Sequence, residues 1–281
     1  MTRTTIKNSL NQNLIKDKIE QISQRSVQLR DKAILTHIFS LIDLTSLNSS
    51  DSISNITELA GKVNSLHDRF PELPNVAAIC VFPNFVSTVK SALNVEKVRI
   101  VSVAASFPTS QTYLDIKLAE IKRVVEEGAD EVDIVISLGE FLSENYNFVS
   151  WEIRKLKEAA GNAQLKVILE TGAINDPGLI RTASFLAMEG GADFIKTSTG
   201  KTEKGADPEA VWVMCEAIQE YTLKTGRAVG IKPAGGITDI SSAIVYYLIV
   251  NEILGNEWLK PERFRFGASK LANQLLGEKY F

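Results

Sequence analysis

Two stretches, EEGADEVDIV (residues 126–135) and EGGADFIKTS (residues 189–198), share one order of elements and decide how the chain folds. Each begins with residues typical of a helix end, continues through Gly-Ala-Asp, and enters an apolar run typical of a buried strand. The same helix-to-strand turn therefore occurs twice in one chain. Helices and strands that alternate in this way predict a parallel sheet.

The alternation extends over most of the chain. Asp176-Pro177 and Asp207-Pro208 are typical helix starts, each with an N-cap aspartate and a proline at the first helical position. Between such helices lie eight β-rich runs, which begin at Leu41, Val76, Val98, Glu131, Leu165, Phe194, Ala228 and Phe264. Eight units without a linker predict a single α/β domain, a (β/α)8 TIM barrel over residues 31–281. A doubly wound open sheet is the alternative.

Residues 1–30 precede this alternation and are mostly polar. Leu14, Ile15, Ile19 and Ile22 recur there at helical spacing, so we predict an N-terminal helical extension. The extension is expected to pack against the barrel or against a partner subunit. A homodimer is one arrangement that this allows.

The bulk composition excludes several classes of protein. The chain has 281 residues, of which 44% are hydrophobic and 23% charged, as in ordinary globular proteins. A net charge of -3 gives no reason to expect nucleic acid or an anionic membrane as a partner. Two cysteines, Cys80 and Cys215, form neither a disulfide framework nor a metal cluster, which favours a reducing cytoplasm. No apolar run is long enough to span a bilayer.

Ionisable residues occur near the ends of several predicted strands. They are Asp43, Asp133, Glu170, Lys196 and Lys232. The C-terminal ends of the strands hold the active site in barrels of this type. Aligning the two Gly-Ala-Asp triplets places Asp133 opposite Lys196 on the fourth and sixth strands. Alternate strands supply one interior layer, so these two side chains should face each other inside the barrel. For a single carboxylate, a structural ion pair is an equal alternative.

Two lysines on neighbouring strands are harder to explain as structure. Buried like charges are costly unless one group loses its proton or both share a carboxylate. Lys232 beside a desolvated Lys196 would lower the pKa of Lys196, and a neutral amine can attack a carbonyl to form a Schiff base. Asp133 could then move protons directly or through water. This chemistry needs no metal or cofactor, and the only histidines, His37 and His67, are each isolated.

Glycines follow the last strands. The loops after strands 7 and 8 are the recurrent phosphate site of the barrel fold, where glycine lets backbone N–H groups approach the anion. Here those loops contain Gly235, Gly236, Gly267 and Ser269. Gly200-Lys201, after strand 6, would add a positive charge. The sequence therefore predicts a small phosphorylated substrate.

The segments IDLTSLN, AAICVFP, GADEVDIV, DFIKTSTGK, GIKPAGGI and RFGAS together resemble the deoxyribose-phosphate aldolases, a family of class I aldolases. The resemblance runs from about residue 41 to residue 276, and the pair of lysine motifs is its most specific part. It implies reversible cleavage of 2-deoxy-D-ribose 5-phosphate to acetaldehyde and D-glyceraldehyde 3-phosphate, a reaction of deoxyribonucleotide catabolism.

Specific roles follow from the resemblance. Lys196 would form the Schiff base, Lys232 would perturb it, and Asp133 would serve as acid and base. The family pattern also implies two further groups of residues: Asp43, Thr45, Cys80 and Thr199 in the pocket, and Gly200, Lys201, Gly235, Gly236, Gly267 and Ser269 at the phosphate. In this family a C-terminal tyrosine can reach the site, which makes Tyr280 a further candidate.

The chain departs from the family pattern at two positions. Thr238 stands where the bacterial members have arginine, and Lys270 stands where they have serine, so the positive charge of the phosphate site would move from one loop to the next. Two other functions stay open. Another phosphate-binding barrel enzyme, such as a different Schiff-base aldolase or a metal-free isomerase, would keep the lysine nucleophile but act on another substrate, and the pairing of the two lysine motifs argues against it. A non-catalytic binding barrel would have lost one of Lys196, Lys232 and Asp133, and all three are present.

Overall fold

Eight short strands alternate with helices in a computed structural model, which describes residues 12–281. The strands are β1 (Ile42–Thr45), β2 (Ala78–Val81), β3 (Arg99–Val103), β4 (Glu131–Val135), β5 (Gln164–Ile168), β6 (Phe194–Lys196), β7 (Gly230–Lys232) and β8 (Phe266–Ala268). All of their pairings are parallel, in the order β7-β6-β5-β4-β3-β2-β1-β8.

The first two helices precede β1, and the other helices follow the strands in turn. The helices are α1 (Gln12–Gln28), α2 (Lys32–Ser40), α3 (Ile53–Asn64), α4 (Leu66–Arg69), α5 (Val86–Ala92), α6 (Leu114–Glu126), α7 (Leu138–Leu142), α8 (Tyr146–Ala160), α9 (Thr171–Ile174), α10 (Pro177–Glu189), α11 (Pro208–Thr225), α12 (Ile240–Leu254) and α13 (Lys270–Leu276). Short 3-10 helices cover Pro83–Phe85 and Asn256–Trp258. Asp176 and Asp207 cap α10 and α11 as predicted, each accepting a backbone N–H.

The sheet closes between β7 and β8, which are the two ends of the strand order. Parallel bridges join Ile231 to Phe264 and Ala234 to Gly267, and Gly267 N donates to Pro233 O at 2.9 Å. The strands therefore form a (β/α)8 barrel, which confirms the predicted fold and excludes the open doubly wound sheet.

The two Gly-Ala-Asp turns have the same structure. Their glycines adopt positive φ, 108° at Gly128 and 103° at Gly191, which glycine adopts without the strain of a side chain. The Asp130 carboxylate accepts the N–H of Ile100 on β3, and the Asp193 carboxylate accepts the N–H of Leu165 on β5, each at 2.8 Å. The backbone of each aspartate also bonds to both neighbouring strands. Each turn therefore fixes the register of its strand against the strands on either side.

The N-terminal helix lies on the barrel of its own chain. Helix α1 packs against α11 and α12, with Ile15 and Ile22 buried and Leu14 more than half exposed. This arrangement follows the helical spacing seen in the sequence. Residues 1–11 of the predicted extension lie outside the described residues, and the domain boundary at residue 30 stays a prediction. Between residues 12 and 281, no helix has both the length and the apolar character needed to cross a membrane.

Gly230, the first residue of β7, tests how tightly the barrel is packed. A Cβ at this position would lie 2.4 Å from the ring of Phe194, which is fully buried. Gly230→Ala should therefore lower the free energy of unfolding by about 1–3 kcal/mol through overpacking, measured by urea denaturation. The control is Gly61→Ala on the exposed side of α3, where a Cβ meets nothing within 4 Å. That change should raise stability by up to about 1 kcal/mol, and equal effects at the two sites would contradict the packing argument.

Candidate active site

Asp133 lies at the centre of the barrel and contacts three lysines. Its Oδ1 accepts a hydrogen bond from Lys166 Nζ at 2.9 Å, and its Oδ2 accepts from Lys196 Nζ and from Lys232 Nζ, both at 2.8 Å. The four residues come from the adjacent strands β4, β5, β6 and β7. The prediction that Asp133 and Lys196 face each other inside the barrel is confirmed. The two predicted lysines share one carboxylate oxygen.

A second tier of charges supports this centre. Lys232 Nζ lies 2.5 Å from Asp43 Oδ2, an ion pair without the angles of a hydrogen bond. Arg265 donates to Asp43 Oδ1 at 2.6 Å and to Glu131 Oε1 at 2.8 Å. Lys166 Nζ lies 2.6 Å from Glu131 Oε2. We call these residues the charge cluster: Asp43, Glu131, Asp133, Lys166, Lys196, Lys232 and Arg265. Each of them is at most 3% exposed.

Sequence reasoning missed Glu131, Lys166 and Arg265. The signal was present as the period of two along a strand, which puts every second residue on the same face. Glu131 precedes Asp133 by two positions, and Arg265 precedes Gly267 by two. Lys166 interrupts an apolar run, LKVIL, as Lys196 interrupts its own strand.

The cluster sets the protonation of its members. Burial lowers the pKa of Lys196, and the positive charge of Lys232 lowers it further, against the opposing effect of Asp133. Burial alone would also lower the pKa of Lys232, but Asp133 and Asp43 together outweigh burial and raise it. For Asp133, burial is likewise outweighed, here by Lys166, Lys196 and Lys232, so its pKa is held well below the usual range. The site therefore holds an ionised carboxylate, a fixed cation and an amine that loses its proton readily.

The predicted pocket residues lie around this centre. Cys80 on β2 is fully buried, pairs in register with Thr45 of β1, and belongs to an apolar cluster with Leu47 and Val101. Burial raises the pKa of the Cys80 thiol to about 11, so it is a neutral wall group. Thr45 Oγ1 donates to the carbonyl of Asp43 at 2.8 Å. The interior therefore has an apolar side next to the charged one.

Glu170 holds the loop that follows Lys196. Its backbone is left-handed, with φ 56°, and its carboxylate accepts from Thr199 Oγ1 at 2.6 Å and from Thr202 Oγ1 at 3.2 Å. Thr199 Oγ1 in turn accepts the N–H of Lys201 at 3.1 Å. Glu170 therefore positions Thr199 and the start of the Gly200-Lys201 segment through hydrogen bonds.

The predicted glycine loops meet at the same end of the barrel. Gly200 and Gly235 pack backbone to backbone, since a Cβ on Gly235 would lie 3.3 Å from Gly200 Cα. Gly235 and Gly236 have φ 85° and 76°. A Cβ on Gly267 would meet Ala234 Cβ at 2.7 Å and Lys232 Cε at 3.3 Å, so this glycine also makes room for the lysine.

The charged and polar residues of these loops lie around the glycines. Lys201 Nζ donates to Leu47 O in the loop after β1. On that side of the barrel, β7 and β8 lie between β6 and β1. Gly235 and Gly236 are in the loop after β7, whereas Gly267, predicted for the loop after strand 8, is the middle residue of β8. Ser269 is exposed at the start of α13, and its side chain makes no cap hydrogen bond. Thr238 and Lys270, the two departures from the family pattern, line the same cavity beside these loops.

The structure does not bring Tyr280 to this site. Its hydroxyl donates to the carbonyl of Lys62, at 3.0 Å, and lies 3.2 Å from Ser65 Oγ. Both partners are at the C-terminal end of α3, and a helix that follows a barrel strand runs back toward the N-terminal ends of the strands. In this structure the tail is therefore docked away from Lys196.

Comparison with known proteins agrees with this geometry. The model of the DeoC/LacD family aldolases matches residues 37–253. Deoxyribose-phosphate aldolase of Homo sapiens is 38% identical over 276 residues, covering 93% of this chain and 86% of the human protein. The Bos taurus enzyme of the same name is 39% identical over 267 residues, covering 90% of this chain and 83% of that protein.

Solved structures give the same result. A tetrameric deoxyribose phosphate aldolase from Aeropyrum pernix matches with a TM-score of 0.69 and 25% sequence identity, covering 91% of this chain and 96% of that one. The family model spans most of the barrel, and the curated relatives align over most of the chain. This chain therefore belongs to the DeoC/LacD family of aldolases.

Proposed function

We propose that this protein is a deoxyribose-phosphate aldolase that cleaves 2-deoxy-D-ribose 5-phosphate reversibly to acetaldehyde and D-glyceraldehyde 3-phosphate. The observation that carries the proposal is the shared contact of Lys196 and Lys232 with Asp133 Oδ2, both at 2.8 Å. A buried amine beside a fixed cation loses its proton more readily than a free lysine and can then act as a nucleophile. The curated relatives of the same name support the choice of substrate.

The reaction begins with attack by the Lys196 amine on C1 of the open-chain sugar. Loss of water gives a protonated imine, which withdraws electrons from the adjacent carbons. A base then takes the C3 hydroxyl proton, the C2–C3 bond breaks, and its electron pair enters the imine to give an enamine with release of glyceraldehyde 3-phosphate. Protonation at C2 and hydrolysis release acetaldehyde and regenerate the amine.

Asp133 is the carboxylate placed to move these protons. It lies within hydrogen-bond distance of Lys196 Nζ, and its ionised state lets it accept a proton directly or through water. Lys232, whose contacts with Asp43 and Asp133 keep it protonated, supplies the constant positive charge. The two lysines therefore have different roles despite their similar burial.

The phosphate of the substrate would bind at the loops after β6, β7 and β8. Backbone N–H groups of Gly235, Gly236 and Ser269 are candidates to receive it, since glycine loops and the first residues of a helix offer such donors. Lys201 would add a charge-assisted contact on releasing Leu47 O. The two free cysteines are buried, which agrees with the proposal of a reducing cytoplasm as its location. The homodimer stays a prediction.

Reductive trapping tests the nucleophile. Incubation with acetaldehyde and borohydride, followed by peptide mass analysis, should place the adduct on Lys196. Lys196→Leu should abolish the adduct and lower kcat at least about a thousandfold, since the covalent step is lost. Its fold should persist, because Asp133 Oδ2 keeps its contact with Lys232.

The matched control is Lys117→Met, which changes a buried lysine paired with Glu152 between α6 and α8. This variant should still be labelled at Lys196. An adduct on any other lysine of the wild-type protein would show that the proposed mechanism is wrong.

Lys201→Met tests the phosphate site. Loss of a charge-assisted hydrogen bond should raise the KM for 2-deoxyribose 5-phosphate about tenfold or more, with little change in kcat/KM for unphosphorylated 2-deoxyribose. Lys204→Met is the control, because Lys204 is in the same loop but contacts Asn175 and Asp207 instead. If Lys201→Met lowers kcat/KM equally for the phosphorylated and the unphosphorylated sugar, this lysine does not bind the phosphate.

A further inference from the structure

The charge cluster contains one more cation than carboxylates. Its carboxylates are Asp43, Glu131 and Asp133, and its cations are Lys166, Lys196, Lys232 and Arg265. Among the described residues, Lys196 has a single carboxylate within 4.0 Å, Asp133. The other three cations each contact two or more. If the cluster is electrically neutral, the group without its proton is Lys196.

Arg265 is the cation of the charge cluster whose ion pairs are with Asp43 and Glu131 and not with Asp133. Its guanidinium donates from Nη1 to Asp43 Oδ1 at 2.6 Å and from Nη2 to Glu131 Oε1 at 2.8 Å, and its Nε donates to Pro261 O. Its Cζ lies 5.8 Å from the ring centroid of Phe194, the residue two positions before Lys196. Arginine keeps its proton under all ordinary conditions. It is therefore a permanent positive charge beside the carboxylates of Asp43 and Glu131.

The consequence reaches Lys196 through the carboxylates. Arg265 offsets part of the negative charge of Asp43 and Glu131. Lys232 and Lys166, which also contact those carboxylates, can therefore pair with the two oxygens of Asp133 as well. Without Arg265, Asp43 and Glu131 would depend on those two lysines alone. Three lysines would then face three carboxylates, and a protonated Lys196 paired with Asp133 would complete the balance.

We propose that Arg265 is a positioning residue for Schiff-base formation: by neutralising Asp43 and Glu131 it leaves Lys196 as the surplus cation of the barrel, the one that gives up its proton. The inference rests on the proposed role of Lys196 as the nucleophile. It assigns a catalytic consequence to an arginine that contacts Asp43 and Glu131 rather than the reacting amine.

The expected pH dependence has a definite sign. The free amine of Lys196 reacts, so the rate of imine formation falls as pH drops through the pKa of that group. Asp133 and Lys232 face this amine directly, with Lys166, Asp43 and Cys80 behind them. Glu170, the other buried carboxylate near the mouth, is bonded by Thr199 and Thr202. Removing a positive charge from this set raises the pKa of Lys196, and removing a negative charge lowers it.

The experiment measures the rate of inactivation by acetaldehyde with cyanoborohydride as a function of pH. Neither reagent carries a phosphate that titrates, and comparison with wild type at each pH cancels the behaviour of the reagents. The acid limb is the part of the rate–pH curve where the rate falls as pH drops. In Arg265→Met this limb should move to higher pH by about one unit or more. In Arg265→Lys, which keeps the charge, the limb should return toward the wild-type position. In Glu131→Gln it should move to lower pH.

Lys117→Met is again the matched control. It breaks a buried ion pair outside the charge cluster, so it should cost stability and leave the acid limb unmoved. Should Arg265→Met fail to fold, Glu131→Gln and Arg265→Lys decide alone. An unmoved limb in Glu131→Gln, or an upward shift in Arg265→Lys equal to that of Arg265→Met, would overturn the charge-balance proposal. A wild-type protein without any adduct on Lys196 would instead refute the proposed function.

Discussion

The contact of one carboxylate with three lysines is the interaction on which this structure depends. Asp133 is fully buried, and an isolated charge in that position would be prohibitively unfavourable. Lys166 and Lys232 offset its charge and Lys196 donates a further hydrogen bond to it, and Asp133 in turn makes the burial of these lysines tolerable. Removing Asp133 would leave its buried cations uncompensated. Stability and the proposed reactivity therefore depend on the same contacts, which fix the position of the Lys196 amine.

The barrel geometry explains why these charges can be brought together. Side chains from adjacent parallel strands point into one small interior, and the parallel register aligns Asp133 with Lys166 and Lys196 with Lys232. The apolar cluster around Cys80 occupies the other side of that interior. The Lys196 amine, the proposed nucleophile, therefore lies between a charged wall and an apolar wall. The loops with the glycines lie beside the amine, at the same end of the barrel.

Much of this arrangement was accessible from the sequence. The two Gly-Ala-Asp repeats predicted the fold and the facing of Asp133 and Lys196, because turns of equal length place residues at equal heights. Glu131 and Arg265 escaped, since a charged residue at the start of a strand looks like a surface residue until closure of the barrel buries it. Lys166 lies in the middle of β5, where the sequence showed only a single charge within an apolar run. The docking of Tyr280 against α3 could not be predicted either, because the direction of a short tail depends on contacts such as that with Lys62.

The Gly-Ala-Asp turns carry a further consequence for how such a site can vary. Asp130 and Asp193 each fix a strand against both neighbours, and side chains alternate between the two faces of a strand. Inserting or deleting one residue between either aspartate and its strand would turn Asp133 or Lys196 toward the helices. A change in turn length would then separate the proposed catalytic pair as completely as replacing its residues, although both side chains would still be present in the sequence. The length of these two turns is thus as decisive for the candidate active site as the identity of its residues.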